Sequence, residues 1–530
     1  MTKANAARCV AAMLAFLPLL AARASIPTAH CRGGDKTESG LQGLTTPAEI
    51  ASGAAAIGFN CNMDIVGQYQ GEGASWQLTA WKNCAYFDQK LNSAESLPGT
   101  VVVDVSDPKN PKPTTLRLTD NAMLDPWESL KVNPARQLLA GDQKSGTGFV
   151  VYDISQDCLH PVQKAFINIP GMFGHTGQWA PDGNTYYITP LRTDQTLLAV
   201  DTKDPANPAL IPCAAGSYGC GTNGFFTAPS ADFGTARWHD LEFSKDGNTA
   251  YITMLGTGAT AAANGLVIMD VSDFQARKAN PAYRVISQLR WDDGSVGAQN
   301  ALPITIKGKT YILFADESGG PLSGCSQGKS AAGFPRLIDV SDPKNPVTVS
   351  KLILDIHDPA NCTVAATTPI TNATVGANGS TSSAPFGFSC HYCNVDDVDN
   401  AKLAACNCFA AGLRIFDISN PTAPKEVAYL KPPAQGTKAL PGSQYANSAA
   451  PTFVRNFDWA TSKPSFPKDR GMTTGDLWTT SQDNGFMVVK IDPHATASSG
   501  GGCASADASL GGLIVFALVE VLRRRRSRRS

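Results

Sequence analysis

Short, almost unbroken runs of Val, Ile, Leu and Met recur along this chain, most of them opened by Gly and closed by a polar turn. The fullest copy is Gly99-Thr-Val-Val-Val-Asp-Val-Ser-Asp-Pro-Lys-Asn-Pro111. It returns at 148–155, 197–208, 265–273, 336–346 and 412–421, and in weaker form at 485–492, where Lys490 replaces the usual Asp. Apolar runs of this length, ended by a proline that cannot donate to a ladder, predict strands. The lack of alternation predicts that both faces are buried. Ser-Asp-Pro-Lys-Asn-Pro predicts a turn, with Pro setting φ and Asp or Asn bonding the local backbone. A further strand follows the turn, as in 347–354 and 425–429, and another precedes each run, as in 249–253 and 310–314. A still earlier strand opens the unit, as in 238–244 ahead of Lys245-Asp-Gly-Asn248. Each unit is therefore expected to be four antiparallel strands.

The repeated Asp falls at 104, 153, 201, 270, 339 and 417, a spacing that starts near the length of a propeller blade and widens through insertions. Seven copies predict an all-β, seven-bladed β-propeller over residues 59–492. Asn62–Tyr69 resembles the outer strand of a unit but precedes the first full repeat. It is expected to serve as the fourth strand of the last blade, closing the ring and removing an exposed edge. The opening strand of the seventh blade falls somewhere in 431–474 and has no fixed place in this reading. An open solenoid or two packed β domains is the competing architecture.

The strand motif, carried best by Val101–Asp104, Val267–Asp270 and Leu413–Asp417, resembles the LVIVD-repeat family of bacterial exported β-propellers over roughly residues 60–492. The resemblance implies the fold and export and leaves the activity open.

Both termini bear on location. Residues 1–24 combine Lys3 and Arg8, an apolar stretch from Val10 to Leu20, and Ala22-Arg-Ala24. They read as a signal peptide cut between Ala24 and Ser25. Residues 25–58 form an N-terminal extension. Residues 493–509 are a Ser/Gly/Ala linker that includes Cys503, and 510–530 pair a short apolar run with Arg523–Arg529. A Cys, a short hydrophobic segment and an Arg cluster resemble the MYXO-CTERM sorting tail of Gram-negative surface proteins. The resemblance implies processing and lipid attachment at Cys503 and a cell-surface, outer-membrane location. A plain C-terminal membrane anchor is the alternative. With 44 Lys and Arg against 45 Asp and Glu, the body has no electrostatic signature of a nucleic-acid binder, and a monomer is expected.

Apart from Cys9 and Cys503 the chain has twelve cysteines among its 14, an even number that in an exported protein predicts disulfides. Cys213 and Cys220 flank a Gly-rich loop and are the simplest pair. Cys61 with Cys84 would tie the closing strand to the first blade. Cys390, Cys393, Cys406 and Cys408 form a cluster around His391 that fits either bridges or zinc, with the compartment favouring bridges.

In a propeller the first strand of each blade lines the channel and starts at one mouth. His175 and His239 hold the same place in their units, each seven residues before the Asp of an Asp-Gly-Asn turn. The same alignment puts Glu128, Asn300 and, approximately, Ser75 and His391 at that mouth. Imidazoles with a carboxylate form a ligand set for Zn, Cu or Fe. A His at a repeating position also serves simply to bond a neighbouring blade. Asn394–Asn400 is acidic enough to hold Ca²⁺ or to be a solvated loop. No phosphate-binding Gly-rich loop, Gly-x-Ser-x-Gly elbow or His-Glu-x-x-His pair is present. Two functions follow: a surface-anchored module binding an envelope protein or polysaccharide, or an exported metal-dependent oxidase or hydrolase using the histidine ring. The insertions at 362–385 and 431–474, the latter with Tyr445, Phe453, Phe457 and Trp459, are candidate contact regions.

Overall fold

A computed structural model describes residues 25–492 except 90–97, 193, 217–218, 222–223, 228–229, 235, 257–263, 320–321, 369–385, 434–459 and 467–476. Residues 1–24, Cys503 and the C-terminal tail lie outside the described residues, as do Tyr445, Phe453, Phe457 and Trp459.

Seven antiparallel blades form a closed ring. Blade 1 runs Leu78–Trp81, Cys84–Asp88, Thr100–Asp104 and Lys112–Leu118. Blade 2 runs Lys131–Asn133, Leu138–Asp142, Gly148–Asp153 and Val162–Asn168. Blade 3 is Thr176–Trp179, Thr185–Thr189, Leu198–Asp201 and Ala209–Leu210. Blade 4 is Arg237–Phe243, Thr249–Leu255, Gly265–Asp270 and Arg284–Arg290. Blade 5 is Ser295–Ile306, Lys309–Gly319, Arg336–Asp339 and Val347–Lys351. Blade 6 is Tyr392–Val395, Leu403–Cys408, Gly412–Asp417 and Lys425–Lys431, with Phe59–Cys61 added to its outer edge.

Blade 7 is shared between distant parts of the chain. Met63–Tyr69 pairs with Gly485–Ile491, which pairs with Leu477–Ser481. The innermost place, left open in the sequence reading, is taken by 460–465 through bridges from Ala460 to Ser481 and from Ser465 to Trp478.

The repeated motif now has a physical explanation. Val101, Val102 and Val103 are fully buried because the third strand of a blade packs between two neighbouring blades. Each such side chain contributes about 1.5–3 kcal/mol through burial. The Asp that ends the run is a turn residue. Asp104, Asp153, Asp201, Asp270, Asp339 and Asp417 each accept the backbone N–H two residues on. Gly485–Ile491 takes its fourth strand from Met63–Tyr69, and Lys490 replaces the Asp there.

The disulfides are Cys31–Cys61, Cys84–Cys158, Cys213–Cys220, Cys325–Cys362, Cys390–Cys408 and Cys393–Cys406. The expected Cys61–Cys84 pair is not formed. Cys61 faces the N-terminal extension, and Cys84 reaches the Cys158 turn of blade 2. The 390–408 cluster is two bridges and holds no free thiolates for zinc. The extension lies on blades 5 and 6. Ile26 N–H donates to Ile353 O, and the buried Arg414 guanidinium pairs with Glu38 at 2.9 Å and Glu426 at 3.0 Å. Thr46 and Glu49 form a reciprocal cap on the short helix Pro47–Ala51. Among the described residues no helix is long and apolar enough to cross a membrane.

Candidate metal centre

The beginnings of the innermost strands bring Glu128 and three histidines together. Glu128 lies just ahead of the first strand of blade 2 and bridges in parallel to Thr176 of blade 3. Its Oε2 stands 3.3 Å from His175 Nε2 and 3.1 Å from His239 Nε2, and its Oε1 stands 2.9 Å from His391 Nε2. The Nε2 atoms of His175 and His239 are 3.0 Å apart. Gln299 Nε2 donates to Glu128 Oε1 at 2.9 Å, and Thr176 Oγ1 donates to Oε2 at 3.3 Å. These two donors hold the carboxylate in place.

Two of the rings are also held from behind. His239 Nδ1 lies 3.1 Å from Ala298 O, and His391 Nδ1 bonds Thr461 O. Because a carbonyl only accepts, each Nδ1 carries a hydrogen, which directs Nε2 at the cluster. Metal-ligating histidines are oriented in this way. Blade 7's inner segment therefore serves the site through Thr461.

Local irregularity aims the side chains. The pairing of Arg237–Phe243 slips between Trp238 and Leu241, the stretch that contains His239. The first strand of blade 5 slips between Ala298 and Asn300, so Gln299 is the extra residue. Such bulges redirect side chains beside functional sites. The second slip corrects the sequence alignment by one residue: Gln299 meets Glu128, while Asn300 donates to Asp240 Oδ2 at 3.2 Å. Ser75 adjoins the His391 side of the site: its backbone O accepts from Thr461 Oγ1, and its neighbour Trp76 lies 5.5 Å from His391 between ring centroids.

Glu317, near the end of the second strand of blade 5, joins the cluster. Its Oε2 is 3.6 Å from His391 Nε2 and its Oε1 is 3.9 Å from His239 Nδ1. Sequence reading missed it by considering only first strands. A second strand runs antiparallel to the first, so its end returns to the mouth where the first begins, and scanning both ends would have found it. The His175 and Glu317 side chains keep 13% and 12% exposure, whereas Glu128, His239 and His391 keep 3% or less.

The electrostatics follow from burial and crowding. Burial pushes the Glu128 carboxyl up, but hydrogen bonds from His175 and His239 outweigh it and hold the group well below its usual range. Burial pulls His239 down, yet contact with Glu128, helped by Glu317, lifts it to about 9. For His175 burial prevails over Glu128, and its pKa is lowered. Glu317 is pushed up to about 7 by burial, with the Glu128 charge adding to the effect.

An aromatic wall stands over the cluster. Trp76 lies 5.2 Å from Trp127 and 5.5 Å from His391 between ring centroids, and Phe409 lies 5.0 Å from His391. Trp127, next to Glu128, has φ of 49°, left-handed backbone that a bulky residue adopts at a cost of ~1–3 kcal/mol. Deeper in the channel a second polar layer contains Lys131, whose Nζ donates to Gln77 Oε1 at 3.0 Å, and a Lys463–Glu242 pair at 2.7 Å.

The acidic loop proposed for Ca²⁺ spends its carboxylates locally. Asp396 Oδ1 accepts the N–H of Lys402 and Leu403, Asp397 accepts that of Asp399, and Asp399 pairs with Lys245.

No curated protein matches this sequence. Among solved structures, a putative 6-phosphogluconolactonase from Bacteroides uniformis is similar at 12% identity, TM-score 0.34, over 52% of this chain and 72% of that one. The Myceliophteria thermophila Cps50 (Swd1) β-propeller domain is similar at 11% identity, TM-score 0.45, over 81% and 98%. The Pseudomonas aeruginosa periplasmic gluconolactonase PpgL is similar at 14% identity, TM-score 0.35, over 52% and 68%. The LVIVD repeat family model matches residues 408–430, the third strand and most of the fourth strand of blade 6. That match covers one copy of the repeat, and the seven-bladed ring is in keeping with it.

Proposed function

We propose that this protein is an exported metal-dependent enzyme whose centre lies at one mouth of the propeller. One observation carries the reading: three imidazole Nε2 atoms, delivered by three different blades, converge on the carboxylate of Glu128. A structural histidine needs one partner, and three around one buried carboxylate exceed what blade-to-blade bonding requires. An all-nitrogen-and-oxygen set of this kind suits zinc, iron or copper. Such an ion would supply Lewis-acid or redox chemistry of the oxidase or hydrolase class. The partly exposed side at His175 and Glu317 is the approach for substrate, and Trp127 and Trp76 offer it an apolar wall. The six disulfides fit an oxidising compartment and hence export.

The test is metal content by elemental mass spectrometry on the chain exported under metal-replete conditions. At least one transition-metal ion per chain is expected, lost in a His175→Ala, His239→Ala double variant. A metal-free wild-type chain would sink the enzyme reading.

A second reading uses the same scaffold as a cell-surface module that binds an envelope protein or polysaccharide, and the LVIVD match and propeller fold are consistent with it. Anchoring belongs to either reading and is tested separately. A membrane-impermeant label should reach the protein on intact cells, and Cys503→Ser should abolish processing of the tail. A tail retained in the wild type and the variant alike would point to a plain membrane anchor.

A further inference from the structure

We infer that the mouth is built for two ions, a dinuclear centre bridged by the Glu128 carboxylate, with His175 and His239 on one ion and His391 and Glu317 on the other. This rests on the metal reading above and specifies it further.

The ligand atoms divide into two triads that share one residue. Glu128, His175 and His239 have ligand atoms within 4.8 Å of one another, and so do Glu128, Glu317 and His391. The two oxygens of Glu128 are divided in the same way, Oε2 toward His175 and His239 and Oε1 toward His391. A single ion with bonds of about 2.0–2.2 Å keeps its ligand atoms within roughly 4.4 Å of one another. Each triad is therefore close to the size of one coordination sphere. A carboxylate whose oxygens face two such triads is a bridging ligand.

Glu317 is what makes the second triad more than a histidine bonded to Glu128. Its Oε2 stands 3.6 Å from His391 Nε2, beyond direct hydrogen bonding. A carboxylate held at that distance from a ligand nitrogen leaves room for an ion between them. The anchored rings agree. Thr461 O fixes the Nδ1 proton of His391 in the second triad as Ala298 O fixes that of His239 in the first. Each triad thus has one imidazole turned by a backbone carbonyl so that its Nε2 faces the bridge. Gln299 and Thr176 each bond one Glu128 oxygen and hold the bridge from both sides. Paired ions sharing a carboxylate lie about 3.5–4 Å apart and clamp a substrate oxygen between them.

The test loads the full, disulfide-intact chain with Mn²⁺ after chelation. It reads bound metal by elemental mass spectrometry and spin coupling by electron paramagnetic resonance. Two ions per chain with an exchange-coupled spectrum are expected in the wild type. One ion with the spectrum of isolated Mn²⁺ is expected in Glu317→Gln, with folding checked by circular dichroism. One ion per chain in the wild type would overturn the dinuclear assignment and leave the metal centre standing. No ion at all would overturn both. Two ions retained in a folded Glu317→Gln would remove Glu317 from the site. Should that variant not fold, the wild-type stoichiometry alone decides between one ion and two.

Discussion

Asp142 shows at the scale of a single residue what the floor of this channel imposes. It ends the second strand of blade 2, fully buried, with its backbone exchanged against Ser129: Asp142 N–H donates to Ser129 Oγ, which donates back to Asp142 O. Its carboxyl lies so close to the chain entering His175 that a Cβ on Gly174 would come within 2.2 Å of Oδ1. Burial raises its pKa from 3.8 to about 7, against weaker pulls from Ser129, the His175 N–H and Lys131. A raised folded-state pKa means that the native chain holds the proton more tightly than the unfolded one. The associated stability is complete below about pH 4 and disappears as pH rises through 7. For the metal-free chain, Asp142→Asn should therefore flatten the decline in melting temperature between pH 4 and 7.5, removing a dependence on the order of 3 kcal/mol. Parallel melting curves for variant and wild type would show that the proton is not held there. The same crowding explains what could be read in advance. Glu128, His175 and His239 were placed by counting back from a turn; the first strands of blades 2 and 3 carry no slip, and the slip beside His239 leaves its ring at the same mouth. Asn300 was off by one because a bulge consumes a residue, and Glu317 was missed because it arrives on the returning strand.

Blade 6 is the element in which stability and site are most closely joined. Cys393 and Cys406 face each other directly across the first two strands, and Cys390 reaches Cys408. His391 sits between the two bridged positions on its own strand, with its ring against Phe409 and its Nδ1 on Thr461 O. The bridges hold a short inner strand, Tyr392–Val395, close after residues 369–385, which lie outside the described residues. A Cys393→Ala, Cys406→Ala variant should lose about 2–3 kcal/mol of stability, as expected for a bridge closing a short loop. It should also weaken metal retention while leaving His175 and His239 unaltered. Denaturant titration and metal content on one preparation read both. Unchanged metal content with lowered stability would mean that the bridges serve only the fold. Disulfide formation was legible from the compartment and the even number of cysteines. The partners of Cys61 and Cys84 were not, because they depend on where the extension lies and on which turn of blade 2 faces blade 1. Neither leaves a trace in strand periodicity.

For the whole molecule the decisive feature is that one blade holds both ends of the ring. In the other six, four strands come from consecutive chain, so a frayed outer strand remains tethered by its hairpin. In blade 7 the outer strand, Met63–Tyr69, precedes blade 1, and the pairing with Gly485–Ile491 joins the two ends of the propeller. The contact is close as well as apolar. Met63 is fully buried, and a Cβ on Gly67 would come within 2.2 Å of Pro108 O, so the strand is seated tightly against the turn of blade 1. This closure was legible because 62–69 reads as an outer strand with no blade of its own, whereas the inner strand at 460–465 was hidden in an irregular insertion. A chain lacking residues 25–70 should expose the edge of Gly485–Ile491, associate through it and melt at lower temperature. That truncation also removes Glu38, the Cys31–Cys61 bridge and the Phe59–Cys61 strand on blade 6, so the closure is isolated by a second experiment. A peptide spanning residues 62–70 separates the effects, since it restores only the missing strand by edge addition. Saturable recovery of a monomer and of part of the lost melting temperature is expected, read by light scattering and thermal melts. A truncated chain that stays monomeric and gains nothing from the peptide would show that the ring is held by packing between blade faces, with the shared strand adding little.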